Sequence, residues 1–175
     1  MDITLKRSNR ARQIRLTVQP GGAVLLTAPQ WMSENAINRF VQGHATWIER
    51  SVAKMSQLRV LPIRGRRAYL KHKEEARVFV HERLQYWNQF YGHAYGRVSI
   101  KNAKRLWGSC SRKGNLNFSY ALLFLPCELA DYVIVHELCH LQEHNHGAGF
   151  WRLVERTLPD YRARRAALRR YSPGV

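Results

Sequence analysis

The chain has 175 residues, a size that fits one domain. Apolar residues make up 45% of it and none of its apolar runs reaches the length of about 18 residues that a membrane span needs, so a disordered chain and a membrane-spanning helix are excluded. The 29 basic and 12 acidic residues give a formal net charge of +17, which favours a polyanionic partner such as a nucleic acid or a nucleotide.

The start of the chain and its cysteines indicate a compartment. Residues 1–7 contain no apolar run of the kind found in a signal peptide. Cys110, Cys127 and Cys139 are odd in number and scattered, a pattern that does not fit a framework of disulfides. We therefore expect a cytoplasmic protein with reduced cysteines and no membrane association.

The N-terminal part is predicted to form an antiparallel β region followed by a helix. Apolar and polar residues alternate over residues 14–18, and residues 23–28 form a second strand-like run after a Pro-Gly-Gly turn. Ser33 is placed to cap a helix over residues 34–55. Apolar residues in this helix, Trp47 among them, recur every three or four positions, so the stripe they form is expected to face the core.

The rest of the chain alternates helices with short strands. The predicted elements are helices over residues 66–91, 126–143, 150–158 and 160–171, and strands over residues 98–100 and 116–120. The segment 105–111 is too rich in Gly and Ser for a regular element. We expect one α+β domain over residues 1–175, with an N-terminal part over residues 1–60 and a core over residues 61–175 that carries the chemistry.

Residues 136–140, on a predicted helix, read His-Glu-Leu-Cys-His. A spacing of four places His136 and His140 on one face, one turn apart, where two nitrogens can reach one metal ion. Zinc suits imidazole nitrogen, and catalytic zinc sites have three protein ligands and water. Glu137 follows the first ligand directly, so we expect it to act as a general base that takes a proton from water. The motif predicts a hydrolase with one zinc ion per chain.

The alternative interpretation is a pair of half-buried histidines that are hydrogen-bonded to their neighbours, but burying several polar groups without an ion is costly. A third ligand is expected after the helix. His146 lies six residues after His140, and a turn at Asn145 can bring it back to the metal. Glu143 is an acidic alternative for the third ligand. His144 is expected to be exposed, or to contact one of the metal-binding side chains without binding the metal itself. We expect His146 to be the third ligand.

With these motifs the sequence resembles the bacterial YgjP-like metal-dependent hydrolases, relatives of the SprT-like and WLM zinc metallopeptidases. The resemblance extends over the N-terminal β region and the segment 28–48, and so over most of the chain. Its most specific parts are Leu-Trp-Gly-Ser-Cys-Ser at 106–111, Gly-Asn-Leu-Asn-Phe at 114–118, the apolar run with His-Glu-Leu-Cys-His at 133–141, and the pairs Asn145-His146 and Phe150-Trp151.

The resemblance implies a zincin-like core, with a small sheet beside the active-site helix. It also implies a metal held by His136, His140 and His146, with Glu137 as the catalytic base. In zincins a strand beside this helix lines the cleft, and by that analogy residues 114–120 would pair with an extended substrate.

Three residues near this strand are candidates for contacts in the substrate cleft: Trp107, Asn117 and Tyr120. The alternative for Trp107 is that it wedges its loop against the catalytic helix. The donor to the oxyanion stays open among Trp107, Tyr120, Tyr161 and Arg105.

Several functions compete. The first is a zinc metallopeptidase acting on a peptide or protein substrate, which includes a nucleic-acid-associated protease of SprT type. The second is a metal-dependent, pyrophosphatase-like hydrolase of nucleotides or phosphoanhydrides, although the sequence has no Gly-rich phosphate loop and no carboxylate cluster for Mg²⁺. The third is a nucleic-acid-binding module with structural zinc, which would not need Glu137. The residues favour the metallopeptidase.

The basic charge lies outside the segment that carries the motif. Residues 101–146 have a net charge of +1, whereas residues 147–175 have a net charge of +5. Arg162, Arg165 and Arg169 recur at helical spacing and are candidate contacts for the phosphate groups of a polyanion. The alternative is a solvated helix surface.

Overall fold

The computed structural model describes residues 3–61 and 65–172, and the chain divides into two compact units, Met1–Val60 and Leu61–Val175. The predicted α+β class is confirmed, because the described residues form six α-helices and small sheets. That the two units form a single domain stays a prediction. No helix in the described ranges is long and apolar enough to cross a membrane, and all three cysteines are free.

The N-terminal unit contains a three-stranded sheet of β1 (Ile3–Ser8), β2 (Arg15–Val18) and β3 (Val24–Pro29), with β3 in the middle. β2 pairs antiparallel to β3, as predicted, whereas β1 pairs parallel to β3, so the sheet is mixed. The parallel pair arises because β1 and β2 run in opposite directions on the two sides of β3. Alternation along β3 buries one of its faces, formed by Val24, Leu26 and Ala28.

Two helices follow this sheet, α1 (Glu34–Gly43) and α2 (Ala45–Ser56), and the short strand β4 (Arg59–Val60) comes next. Ser33 caps α1 as predicted, since its hydroxyl accepts a hydrogen bond from a backbone N–H of the first turn. The prediction of one continuous helix is wrong because His44 leaves the helical conformation after Gly43 and its backbone N–H closes α1. The break interrupts the apolar stripe, so Trp47 is 49% exposed instead of facing the core.

The second unit contains the predicted elements in the predicted order, with three additions: the strands Gly108–Cys110 and Tyr171–Ser172 and a 3₁₀ segment at Tyr120–Phe124. Gly and Ser disfavour strands locally, so the strand Gly108–Cys110 forms through its pairing with Leu116–Ser119 and not through its own propensity. The elements are α3 (Gly65–Asn88), β5 (Val98–Lys101), β6 (Gly108–Cys110), β7 (Leu116–Ser119), a 3₁₀ segment (Tyr120–Phe124), α4 (Cys127–Cys139), α5 (Ala148–Thr157), α6 (Tyr161–Leu168) and β8 (Tyr171–Ser172).

Helix α4 runs through the core of the second unit. It is apolar on most sides, and residues such as Ile134 and Leu138 are fully buried. Its one buried aspartate, Asp131, accepts two hydrogen bonds from the guanidinium group of Arg83 in α3, at 2.6 and 2.7 Å. This bidentate pair satisfies the buried carboxylate and fixes α4 against α3.

Candidate metal centre

Two histidines lie at the C-terminal end of α4, where the side chains of this otherwise buried helix become partly exposed. The spacing of four residues brings the rings of His136 and His140 to a centroid distance of 4.7 Å and their Nε2 atoms to 3.2 Å. Both side chains are half-buried. The two nitrogens therefore converge on one point, as the sequence spacing predicts.

The chain turns back directly after these histidines. Helix α4 ends at Cys139, and not near Glu143 as predicted, because the backbone N–H groups of Leu141 and Gln142 bond to carbonyls three residues earlier and tighten the chain into a turn. The turn brings Nε2 of His146 to 3.2 Å from that of His140 and to 3.0 Å from that of His136.

Neither alternative for the third position joins this group. In the described part of the chain, the set of side chains that could hold an ion there consists of the three histidines alone. His144 is exposed, as expected for a residue outside the site. The carboxylate of Glu143 lies against Gly149, where an added β-carbon would be 3.0 Å from one of its oxygens.

The three imidazoles fit a small cation that prefers nitrogen. Ligands about 2.0–2.1 Å from zinc in a tetrahedron are about 3.3 Å apart, close to the 3.0–3.2 Å between the Nε2 atoms. Nδ1 of His140 donates a hydrogen bond to the carbonyl of Glu143 at 2.9 Å, which leaves the lone pair of Nε2 free to face the shared point. Nδ1 of His136 is buried and has no hydrogen-bond partner among the described residues.

The surroundings of His136 and His140 favour the neutral form of these two rings. Burial, the largest cause, and the neighbouring His140, His146 and Arg165 together lower the pKa of His136 to about 3. Burial also lowers the pKa of His140. Neutral imidazole is the form that binds a metal, so these two rings are in the protonation state that metal binding requires.

Helix α5 supplies an aromatic wall behind the three rings. The ring of Phe150, fully buried, lies 4.5–4.8 Å from the ring centroids of all three histidines. The indole of Trp151 stacks on His146 at 5.7 Å and on Tyr161 at 5.2 Å. These contacts hold the rings in place, because a ring packed between aromatic neighbours cannot change rotamer without losing that packing.

Glu137 lies beside this group, against strand β6. Its side chain is 5% exposed, and burial raises its pKa to about 8, so the carboxylate is a stronger base than one in water. A β-carbon at Gly108 would lie 2.7 Å from both Cγ and Oε1 of Glu137. Only glycine therefore allows the carboxylate to occupy this position against the strand.

The sheet beside α4 has the order β5-β7-β6. β7 lies in the middle and pairs with strands on both sides, parallel to β5 and antiparallel to β6. The expectation that residues 114–120 would pair with a substrate is therefore wrong, because the backbone groups of β7 are already used within the sheet. The edge nearest to α4 is β6, which has no second strand partner among the described residues.

The three candidates for the substrate cleft have different positions. Tyr120 is only 1% exposed and packs edge-on against Tyr69, so it belongs to the core and not to a cleft. Asn117 is half-buried and donates a hydrogen bond to Ser109 of β6. Trp107 is half-buried against the core, and its carbonyl accepts a hydrogen bond from Ser119, which agrees with the wedge interpretation.

Arg162 and Arg165 of α6 are exposed, but both pack on aromatic rings of their own unit. The guanidinium of Arg165 lies 4.8 Å from the centroid of the Trp151 ring, and that of Arg162 lies 5.7 Å from the centroid of Tyr161. Arg169 is exposed. Binding of a polyanion by these three residues stays a prediction.

Sequence reasoning assigned no role to Gly108, Phe150 or Trp151, although all three lie in segments that carry the family resemblance. Glycine has no β-carbon and is used where the backbone approaches another group closely, and this is the local signal that Gly108 offers. Nothing in the local sequence pairs it with Glu137, because the two are 29 residues apart along the chain.

Comparison with known proteins identifies the family of the chain. The family model described as YgjP-like, metallopeptidase domain, matches residues 12–70 and 63–171. Among solved structures, the crystal structure of the metallopeptidase zymogen of Pyrococcus abyssi abylysin is similar, with 27% identity and a TM-score of 0.47 over 51% of this chain and 90% of that chain. None of the curated proteins compared matches the chain.

Proposed function

The chain belongs to the YgjP-like metallopeptidase family, and we propose that it hydrolyses peptide bonds with one zinc ion held by His136, His140 and His146. The observation that carries this proposal is the convergence of three Nε2 atoms within 3.0–3.2 Å of one another beside a buried glutamate. A structural zinc site would use four protein ligands, whereas three leave a position open for a reactant.

The three histidines would hold the ion in position. Bound zinc supplies Lewis acidity, which makes water more acidic and a carbonyl more electrophilic. The hydrogen bond from His140 to the carbonyl of Glu143 holds its ring in the ligating tautomer. Phe150 excludes water from the side of the rings that it covers.

Glu137 moves the proton. Its carboxylate takes a proton from the attacking water, holds it on one oxygen, and delivers it to the nitrogen of the leaving amine. Gly108 is a positioning residue for this step, because the missing side chain leaves room for the carboxylate against β6. Rotation of Glu137 away from that strand would move the base from the reacting atoms.

The substrate class is proposed from β6, which pairs with a strand on one side only within the described ranges. An extended peptide can add to an edge strand through main-chain hydrogen bonds, and the strand Gly108–Cys110 lies next to the proposed base. Recognition through the backbone accepts many side chains, so we propose that unfolded or extended segments of proteins are the substrates.

The test combines metal analysis with hydrolysis assays of the full chain. We expect about one zinc per chain in the wild type, in Glu137→Gln and in Glu143→Gln, since none of these changes removes a ligand. Glu137→Gln should lower the rate on an unfolded protein substrate by about 10² or more, the usual contribution of a general base. Glu143→Gln, a matched change of a nearby glutamate, should stay within about threefold of the wild type.

Two results would contradict the proposal. A Glu137→Gln variant as active as the wild type would exclude the base, and a wild type purified without metal and not activated by zinc would exclude the centre. Nucleoside triphosphates are assayed in parallel. Their hydrolysis in place of peptide hydrolysis would favour the nucleotide hydrolase instead.

A further inference from the structure

One end of the N-terminal sheet carries a group of exposed cations. β1 and β3 are parallel, and their last residues, Ser8 and Pro29, pair with each other. Both strands therefore finish at the same end of the sheet. The connection from β1 to β2 begins at this end and contains Arg10 and Arg12. Both side chains are exposed.

The outer face of the sheet adds two more cations next to this connection. Thr27 of β3 is in register with Lys6 on one side and with Arg15 on the other. Residues in register point to the same face, and the adjoining row contains Leu26, which is 1% exposed and faces the core. Lys6 and Arg15 therefore point away from the core, and both are exposed.

None of these cations forms an ion pair with an acidic residue in the part of the chain that the structure describes. A surface depression of about 610 Å³ at this end is lined in part by Arg10, Arg12 and Arg15, and none of the residues lining it is acidic. Within the described ranges, no ion pair engages these three guanidinium groups. Like charges gathered without a counterion repel one another, and an anionic ligand would remove that repulsion.

An exposed tryptophan lies at the same end. Trp31 follows β3 and is 76% exposed. The loop that carries it is tied to β1, because Nη1 of Arg7 donates hydrogen bonds to the carbonyls of Gln30 and Met32, at 3.3 and 2.7 Å. The loop is thus fixed while the indole stays in water.

We propose that this end of the sheet binds single-stranded nucleic acid. The basic end, defined as Lys6, Arg10, Arg12, Arg15 and Trp31, would place four cations on backbone phosphates and the indole on an unpaired base. Aromatic stacking combined with phosphate neutralisation is how proteins bind single strands without reading sequence. A duplex keeps its bases stacked on one another and offers the indole no face. The proposal is independent of the metal centre and of the hydrolysis proposed above.

The test is fluorescence anisotropy of a labelled oligothymidylate of about 20 nucleotides with the full chain, between about 50 and 200 mM salt. The variant Arg10→Gln/Arg12→Gln/Arg15→Gln should bind at least about tenfold more weakly at the lowest salt. Its slope of log affinity against log salt should be flatter by about 2, since each phosphate contact on a single strand contributes about 0.7. Trp31→Ala should weaken binding by at least about fivefold without changing the slope.

The matched control is Arg39→Gln/Arg50→Gln/Lys54→Gln, which removes the same charge from exposed positions on α1 and α2 of the same unit. It should bind within about twofold of the wild type, because screening weakens the effect of distant charges. Circular dichroism checks that each variant is folded. If the triple variant of the basic end does not fold, Arg12→Gln alone should still flatten the slope by about 0.7.

Three outcomes would overturn the proposal. The first is an equal loss of affinity in the control variant, which would mean that net charge alone drives binding. The second is equal affinity for duplex and single strand together with a Trp31→Ala variant that binds the oligonucleotide as tightly as the wild type. The third is binding to phosphatidylserine vesicles without binding to the oligonucleotide, which would make the basic end a membrane contact.

Discussion

Helix α4 and the N-terminal sheet place their charged groups in opposite environments. α4 buries Asp131 and Glu137 to 6% and 5% exposure, and each has a specific neighbour, Arg83 for the first and Gly108 for the second. The outer face of the N-terminal sheet holds Arg15 in water with no ion-pair partner in the described residues.

The difference determines what each region reveals about function. Burying a charged group costs free energy unless a neighbouring group compensates the charge. The neighbours of each buried acidic residue of α4 therefore indicate its role. An exposed cation costs little, so its role depends on a partner outside the chain and on salt. The first region is therefore tested by single substitutions, and the second by ionic strength and paired controls.

The largest expected effect is on metal binding. His146→Ala removes one of three nitrogens that lie within 3.2 Å of each other, whereas His144→Ala removes an exposed ring outside this group. We expect His146→Ala to weaken zinc binding by more than about a hundredfold, since even the loss of a residue behind a ligand costs about 10–100-fold. His144→Ala should bind zinc like the wild type. Competition with a chromogenic chelator measures both, and the reverse order of affinities would exclude His146 as a ligand.

The second expected effect is on catalysis with the metal retained. Gly108→Ala would place a β-carbon 2.7 Å from Oε1 of Glu137, so the carboxylate must move. A displacement of about 1 Å can lower a rate by about 10², and we expect kcat to fall by that order with zinc content unchanged. Gly43→Ala is the control, because its β-carbon would have no neighbour within 4 Å. Equal kcat values for the two variants would contradict the positioning role of Gly108.

The features predicted best from the sequence are those that depend on residues close to one another along the chain. The class of the fold and the family are confirmed, and the order of elements in the second unit follows the periodicity of the sequence. The spacing of His136 and His140 predicts their adjacency because both lie on one helix. The roles of these residues as ligands, and that of Glu137 as base, stay predictions.

What depends on distant pairing could not be predicted. β6 consists of Gly, Ser and Cys and becomes a strand only because β7 pairs with it, so the expectation that residues 114–120 would pair with a substrate is wrong. The close contact of Gly108 with Glu137 depends on the same pairing. The basic end is similar, since the net charge is visible in the composition but the parallel pairing of β1 and β3 decides which cations lie at the same end of the sheet as Trp31.

The third expected effect is on stability. Arg83→Met leaves Asp131 buried without its partner, which should lower the free energy of unfolding by about 3 kcal/mol. Arg77→Gln, in the same helix, breaks an exposed contact with Glu74 at 3.4 Å and should cost less than about 0.5 kcal/mol. Urea unfolding compares the two. Equal losses would mean that burial does not distinguish this ion pair from a surface one.

The smallest expected effect tests whether the two regions act independently. No residue of the basic end belongs to the group of three histidines, so a chelator should remove the metal without removing any contact to nucleic acid. Coupling between two sites requires that one ligand change the affinity for the other, and the coupling is reciprocal. We therefore expect the oligonucleotide affinity to change by less than about twofold when zinc is removed with EDTA, and the zinc affinity to be equally unaffected by the oligonucleotide. Anisotropy with and without chelator measures the first quantity, and chelator competition with and without oligonucleotide measures the second. A larger change in either would mean that nucleic acid binding and the metal centre share a conformational equilibrium, and the same factor would then have to appear in both measurements.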